Sequence, residues 1–87
     1  MSFEVIYHPD VLRKDLPKIS SDLKQRIKQA IEMKLMTAPQ EFGEPLRRTL
    51  KGYWKLRVGD YRVVYKVTGK QVIIFRIGHR REVYDQG

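Results

Sequence analysis

The strongest pattern in the chain is WKLRVGDYRVVYK, residues 54–66, where apolar and polar positions alternate on both sides of Gly59-Asp60. Period-two alternation marks strands with one buried face. A two-residue turn at Gly59-Asp60 sets Val58 opposite Tyr61, Arg57 opposite Arg62 and Leu56 opposite Val63. Trp54, Leu56, Val58, Tyr61, Val63 and Tyr65 then share a core face, while Lys55, Arg57, Arg62, Val64 and Lys66 share the other. The pattern predicts strands over 53–58, 61–67 and 71–77, the last pair joined across the three-residue loop Thr68-Gly69-Lys70. That loop length keeps Ile73, Phe75 and Ile77 on the core face and Arg76 on the charged face near Arg62. A two-residue loop would bury Arg76, at a high desolvation cost.

Upstream, the period changes. Phe3-Glu4-Val5-Ile6-Tyr7 is a short strand that His8-Pro9-Asp10 turns, His8 serving as a turn or capping residue. Leu12, Leu16 and Ile19 form the stripe of a first helix, which Pro17 ends or kinks. Ser20-Ser21 caps a second helix whose stripe is Leu23, Ile27, Ile31 and Leu35, and which stops near Thr37 ahead of Pro39. The segment APQEFGEP is a loop rich in turn formers. These elements predict a single α+β domain over residues 1–87: an N-terminal strand, a two-helix hairpin and a three-stranded antiparallel meander, with the helices on one sheet face.

Composition sharpens the functional reading. Against 10 Asp+Glu stand 18 Lys+Arg, a net charge of +8, which calls for an acidic partner: nucleic acid, an anionic membrane or an acidic protein. With no cysteine, disulfides and Cys-based zinc sites are excluded. Neither a signal peptide nor a membrane span is legible, so a reducing cytoplasm is the expected location and no membrane is an expected partner. Two histidines without a carboxylate pair at ligand spacing predict no metal site, and no cofactor motif appears.

The basic strand face is the leading candidate site. An exposed strand face is often charged, but this one carries no Asp or Glu over 61–77 or 53–58. Two like charges about 5 Å apart repel by roughly 1 kcal/mol in water and roughly 3 at an effective dielectric near 20. Like charges directly opposite on a sheet are destabilising, whereas mixed signs would give the same solubility at less cost. Such a cluster makes sense where a polyanion completes it. The C-terminal Gly78-His79-Arg80-Arg81-Glu82-Val83-Tyr84 adds arginines and an aromatic ring, the residues used for phosphate contact and base stacking in single-stranded RNA. Lys51, Arg76, His79 and Arg81 are the further expected RNA contacts.

With these residues in view, Leu-Arg-x-Gly-Asp-Tyr-Arg-x-x-Tyr followed by Gly-His-Arg-x-x-Val-Tyr resembles the RelE/ParE superfamily of toxins from toxin–antitoxin systems, and the order of elements is similar along the whole chain. The resemblance implies a RelE-like fold. Its RelE branch implies a ribosome-dependent mRNA endonuclease working without metal: a 2′-hydroxyl attacks the neighbouring phosphate, giving a cyclic phosphate and a free 5′-hydroxyl. By that resemblance the catalytic set is Lys55, Arg57, Arg62, Arg80 and Tyr84. Clustered guanidinium groups suit the charge that develops on phosphorus-bound oxygens. Several relatives carry lysine where this chain has Arg57, so Lys55 is the expected general base, made less basic by its cationic neighbours. Arg80 and His79 are rival general acids, because a guanidinium gives up a proton poorly. The resemblance and the charge together imply an acidic RelB-like antitoxin, partly disordered until it folds over the basic face. The ParE branch, which poisons DNA gyrase without such chemistry, is the alternative.

Overall fold

The computed structural model of the chain describes residues 3–46 and 52–81; Lys51 and Tyr84 lie outside the described residues. A five-stranded sheet runs in the order β1-β5-β4-β3-β2, built from β1 (Glu4–Tyr7), β2 (Glu44–Pro45), β3 (Trp54–Val58), β4 (Tyr61–Thr68) and β5 (Gln71–His79). β1 lies parallel to β5, with Val5 paired to Val72 and Tyr7 to Ile74, and the remaining pairs are antiparallel. The α+β class and the meander therefore stand as the sequence predicts. Among the described residues no helix is long and apolar enough to cross a membrane.

The first helical segment departs from regular winding. Val11–Asp15 is a wide turn closed by the Leu16 N–H on the Val11 carbonyl, and Leu16–Lys18 tightens into a 3₁₀ turn containing Pro17. The wide i→i+5 turn lags the 3.6-residue phase. Val11 is consequently fully buried and Leu12 is 54% exposed, so the expected core role of Leu12 passes to Val11. Pro17 does end the segment, since Ile19 is already extended. Helix α1 (Ser21–Ala30) starts on Ser20, whose Oγ accepts from the Leu23 N–H, and it continues through a second wide turn, Ile31–Leu35. Ile27, Ile31 and Leu35 are buried as their spacing requires, together with Ile19, Leu56, Val63, Tyr65, Val72, Ile74 and Ile77.

Two expectations about the connections are corrected. APQEFGEP is not all loop: Pro39–Phe42 forms the short helix α2, and Glu44–Pro45 adds an edge strand against Lys55 and Trp54. Proline suits both places, since the first turn of a helix needs no N–H and a sheet edge can lack a donor. The second correction concerns the turn before β5. It is a two-residue turn at Gly69-Lys70, with Thr68 paired to Gln71 and Gly69 at a φ of 58°. Arg76 is nevertheless exposed, because the register slips between Val64 and Tyr65 and leaves Phe75 as an extra residue. This β-bulge resets the alternation. Val72 and Ile74 face the core before it and Ile77 after it, while Ile73 and Phe75 are only half-buried.

Candidate nucleic-acid interface

The hairpin register is the one the alternation requires: Arg57 pairs directly with Arg62, Leu56 with Val63 and Trp54 with Tyr65. The helices cover the face bearing Leu56, Val63 and Tyr65. The other face, the outer one, carries the cations at different depths. Arg57 and Arg76 are exposed, Arg62 is half-buried, and Lys55 is buried at 6% exposure. Lys55 stands beside Val64 and opposite Glu44 of β2. Val64 and Leu46 form a small second apolar cluster with Tyr53, so part of the outer face is dry.

Register also brings the other arginines in. Val64 pairs with Arg76 and Arg62 with Gly78, which makes Arg76 a diagonal neighbour of Arg62 on the same face. Arg80 is held at the hairpin tip, where its N–H donates to the Asp60 carbonyl at 2.8 Å. His79 goes elsewhere. It pairs with Tyr61 on the helix side of the sheet, the two rings meeting edge-on at 5.6 Å. Its Nδ1 accepts from the Arg81 N–H at 3.2 Å, which leaves the neutral ring with its proton on Nε2. Arg57, Arg62 and Arg76 thus gather at one end of the outer face, with the Arg80 backbone anchored at the adjoining hairpin tip, and His79 is turned from it.

An aromatic group was not foreseen. The Tyr53 and Phe75 rings meet edge-on at 5.3 Å, and His8 lies 5.7 Å from Phe75. Lys66 sits 5.7 Å over the Tyr53 ring. Tyr53 was legible from alternation with Trp54, but the position of Phe75 depends on the bulge. His8 also does the turn work expected of it, its Nδ1 accepting from the Asp10 N–H. The two tyrosines with perturbed acidity are on the helix side: burial raises Tyr65 far above 10.0, and burial followed by the charge of Glu32 raises Tyr7.

The family model described as the ParE toxin of type II toxin–antitoxin system, parDE, matches residues 5–84. The chain belongs to the ParE toxin family. Toxin RelG of Mycobacterium tuberculosis is 32% identical to this toxin over 74 residues, covering 83% of this chain and 85% of that one. Toxin RelE3 of Methanocaldococcus jannaschii is 32% identical over 76 residues, with the same coverage of 83% and 85%. Among solved structures, the RelBE2 toxin–antitoxin complex of M. tuberculosis superposes with a TM-score of 0.85 at 28% identity, covering 94% of this toxin and 95% of that chain. Free RelE of Escherichia coli, at 18% identity and a TM-score of 0.71 over 91% of this toxin and 84% of that chain, shares the fold. The superfamily inferred from the hairpin and tail motifs is therefore the correct one, and its family model and curated relatives carry the names of both branches.

Proposed function

We propose that this toxin is a metal-independent endoribonuclease that cuts mRNA on the ribosome and so arrests translation. The observation that carries the reading is the direct opposition of Arg57 and Arg62, with Arg76 diagonal to Arg62 and the Arg80 backbone tethered at the same end. Preorganised guanidinium groups stabilise a phosphate as it gains charge, and they need no reorganisation at the moment of reaction. In the proposed step Lys55 takes the proton of the 2′-hydroxyl, O2′ bonds to phosphorus, and the bond to O5′ breaks. Arg57 and Arg62 hold the non-bridging oxygens. Arg80 faces the departing 5′-oxygen as general acid and gives it a proton, which the guanidine regains from solvent, and Tyr84 stacks on the neighbouring base. The turn of His79 toward Tyr61 favours Arg80 over it at the leaving oxygen. Lys51 and Arg81 extend the contact to flanking phosphates.

An acidic, RelB-like antitoxin in the same cytoplasm is the proposed partner, supported by the RelBE2 complex among the solved relatives and by the charge of +8. A second reading, inhibition of DNA gyrase without cleavage, is favoured by the ParE name of the matching family. Primer extension on mRNA from a translation reaction containing the toxin separates the two. The nuclease reading expects new 5′ ends that vanish with Arg62→Ala, whose thermal unfolding should remain cooperative, as for an intact fold. Intact message, together with lost supercoiling activity in a gyrase assay, establishes the second reading.

A further inference from the structure

A cavity of about 310 Å3 opens where the outer face meets the free edge of β5, lined by Asp10, Lys14, Asp15, Lys18, Phe75 and Arg76. β1 ends at Tyr7, so among the described residues β5 has no strand on its β1 side beyond Ile74. The first helical segment fills that place, and Asp15 Oδ2 accepts from the Ile77 N–H at 2.9 Å. This bond fixes the distance between the helical segment and the strand, and with it the width of the cavity. Its walls differ in kind. Phe75 offers a half-exposed ring already braced by Tyr53 and His8. Lys14, Lys18 and Arg76 are exposed cations. Asp10 is an exposed carboxylate, with 57% of its side chain open to solvent.

This mixture argues against a plain phosphate clamp, which two carboxylates would oppose. An acidic peptide meets the same objection and has no use for an aromatic face. A nucleotide matches each wall. A base stacks on a rigid aromatic ring at little cost in conformational entropy. Its exocyclic amino group donates to a carboxylate, as cytosine N4 does to Asp or Glu. The attached phosphate meets the cations. We infer that this cavity binds one nucleotide of single-stranded RNA, selecting amino-bearing bases over uracil, beside the Arg57–Arg62 cluster and continuous with it through Arg76. The inference rests on the RNA reading above and adds a specificity site to it. The bulge is what makes the site: a regular β5 would have no residue at the position of Phe75.

The test measures binding of short, fully 2′-O-methylated oligo(A), oligo(C) and oligo(U) by fluorescence anisotropy, because such strands lack the attacking hydroxyl. The full-length toxin is expected to bind oligo(A) and oligo(C) more tightly than oligo(U). Phe75→Leu keeps apolar bulk without the π face and should weaken oligo(A) about 5- to 100-fold, the range for losing one stacked base. Asp10→Asn lies in the open and perturbs no packing, so it reads out the site even where Phe75→Leu folds poorly. It should erase the preference for oligo(C) over oligo(U). Wild-type affinities and preferences in both variants, with mRNA still cut, would overturn the site and leave the nuclease reading intact. Base-dependent binding without cleavage would uphold the site and remove the nuclease reading. A wild-type protein that binds no oligonucleotide overturns the site and leaves the nuclease reading to the primer-extension test, and variants that lose only an acidic protein partner overturn the site in favour of that partner.

Discussion

Tyr65 shows how much a single side chain organises here. It is fully buried, and its hydroxyl donates to the Pro39 carbonyl, tying the sheet to the chain segment after α1. A Cβ added to Gly43 would lie 1.7 Å from that hydroxyl, so only glycine allows the approach. Overpacking a core by even small groups costs about 1–3 kcal/mol. Gly43→Ala should therefore lower the unfolding free energy from urea titration by an amount in that range, with an unchanged slope. The acidity of Tyr65 gives a second outcome. Its folded pKa is raised above the unfolded value of 10.0, so the stability it contributes is complete below pH 10 and declines as pH rises beyond it. Wild-type stability should fall above about pH 10 more steeply than that of Tyr65→Phe, compared in paired urea titrations. Equal slopes in the two proteins would show that the hydroxyl is not sequestered.

At the scale of elements, the β3–β4 hairpin was fully legible because alternation and Gly59-Asp60 select the same register. The β4–β5 pair was legible only in its outcome. Sequence reasoning required Arg76 outside and achieved this by lengthening the turn, whereas the chain keeps a two-residue turn and inserts Phe75 as a bulge. Both solutions move the alternation by one residue, and period-two patterns alone do not distinguish them. The wide turn at Val11–Asp15 hid the role of Val11 in the same way, by changing a period that pattern reading assumes constant. The arginines around His79 suggest one shared surface, yet alternation sends its ring toward Tyr61. The bulge can be checked directly. Deleting Phe75 keeps Tyr65 opposite Ile74 and Val64 opposite Arg76, so the shortened chain should fold, with dispersed amide NMR signals and reduced stability. Deleting Val63 instead drives Arg62 toward the core and should abolish the fold. If the Phe75 deletion also fails to fold, the extra residue is structural rather than an insertion into an otherwise regular ladder.

For the whole molecule, the architecture divides the sheet into a structural face and a charged face. The helical turns dry the first with Val11, Ile27, Ile31 and Leu35, against Leu56, Val63, Tyr65, Val72, Ile74 and Ile77 of the sheet. The second carries Arg57, Arg62 and Arg76 at one end, beside the tethered Arg80 backbone. The proposed role sets stability against function, because like charges directly opposite on a sheet repel. The most direct measurement follows Arg57→Gln, at an exposed position, through both properties at once. The variant is expected to melt higher by up to a few degrees, consistent with relief of about 0.2–1 kcal/mol of cross-strand repulsion, and to leave mRNA in translation reactions uncut. An Arg57→Gln protein that cuts message as fast as the parent would contradict the account.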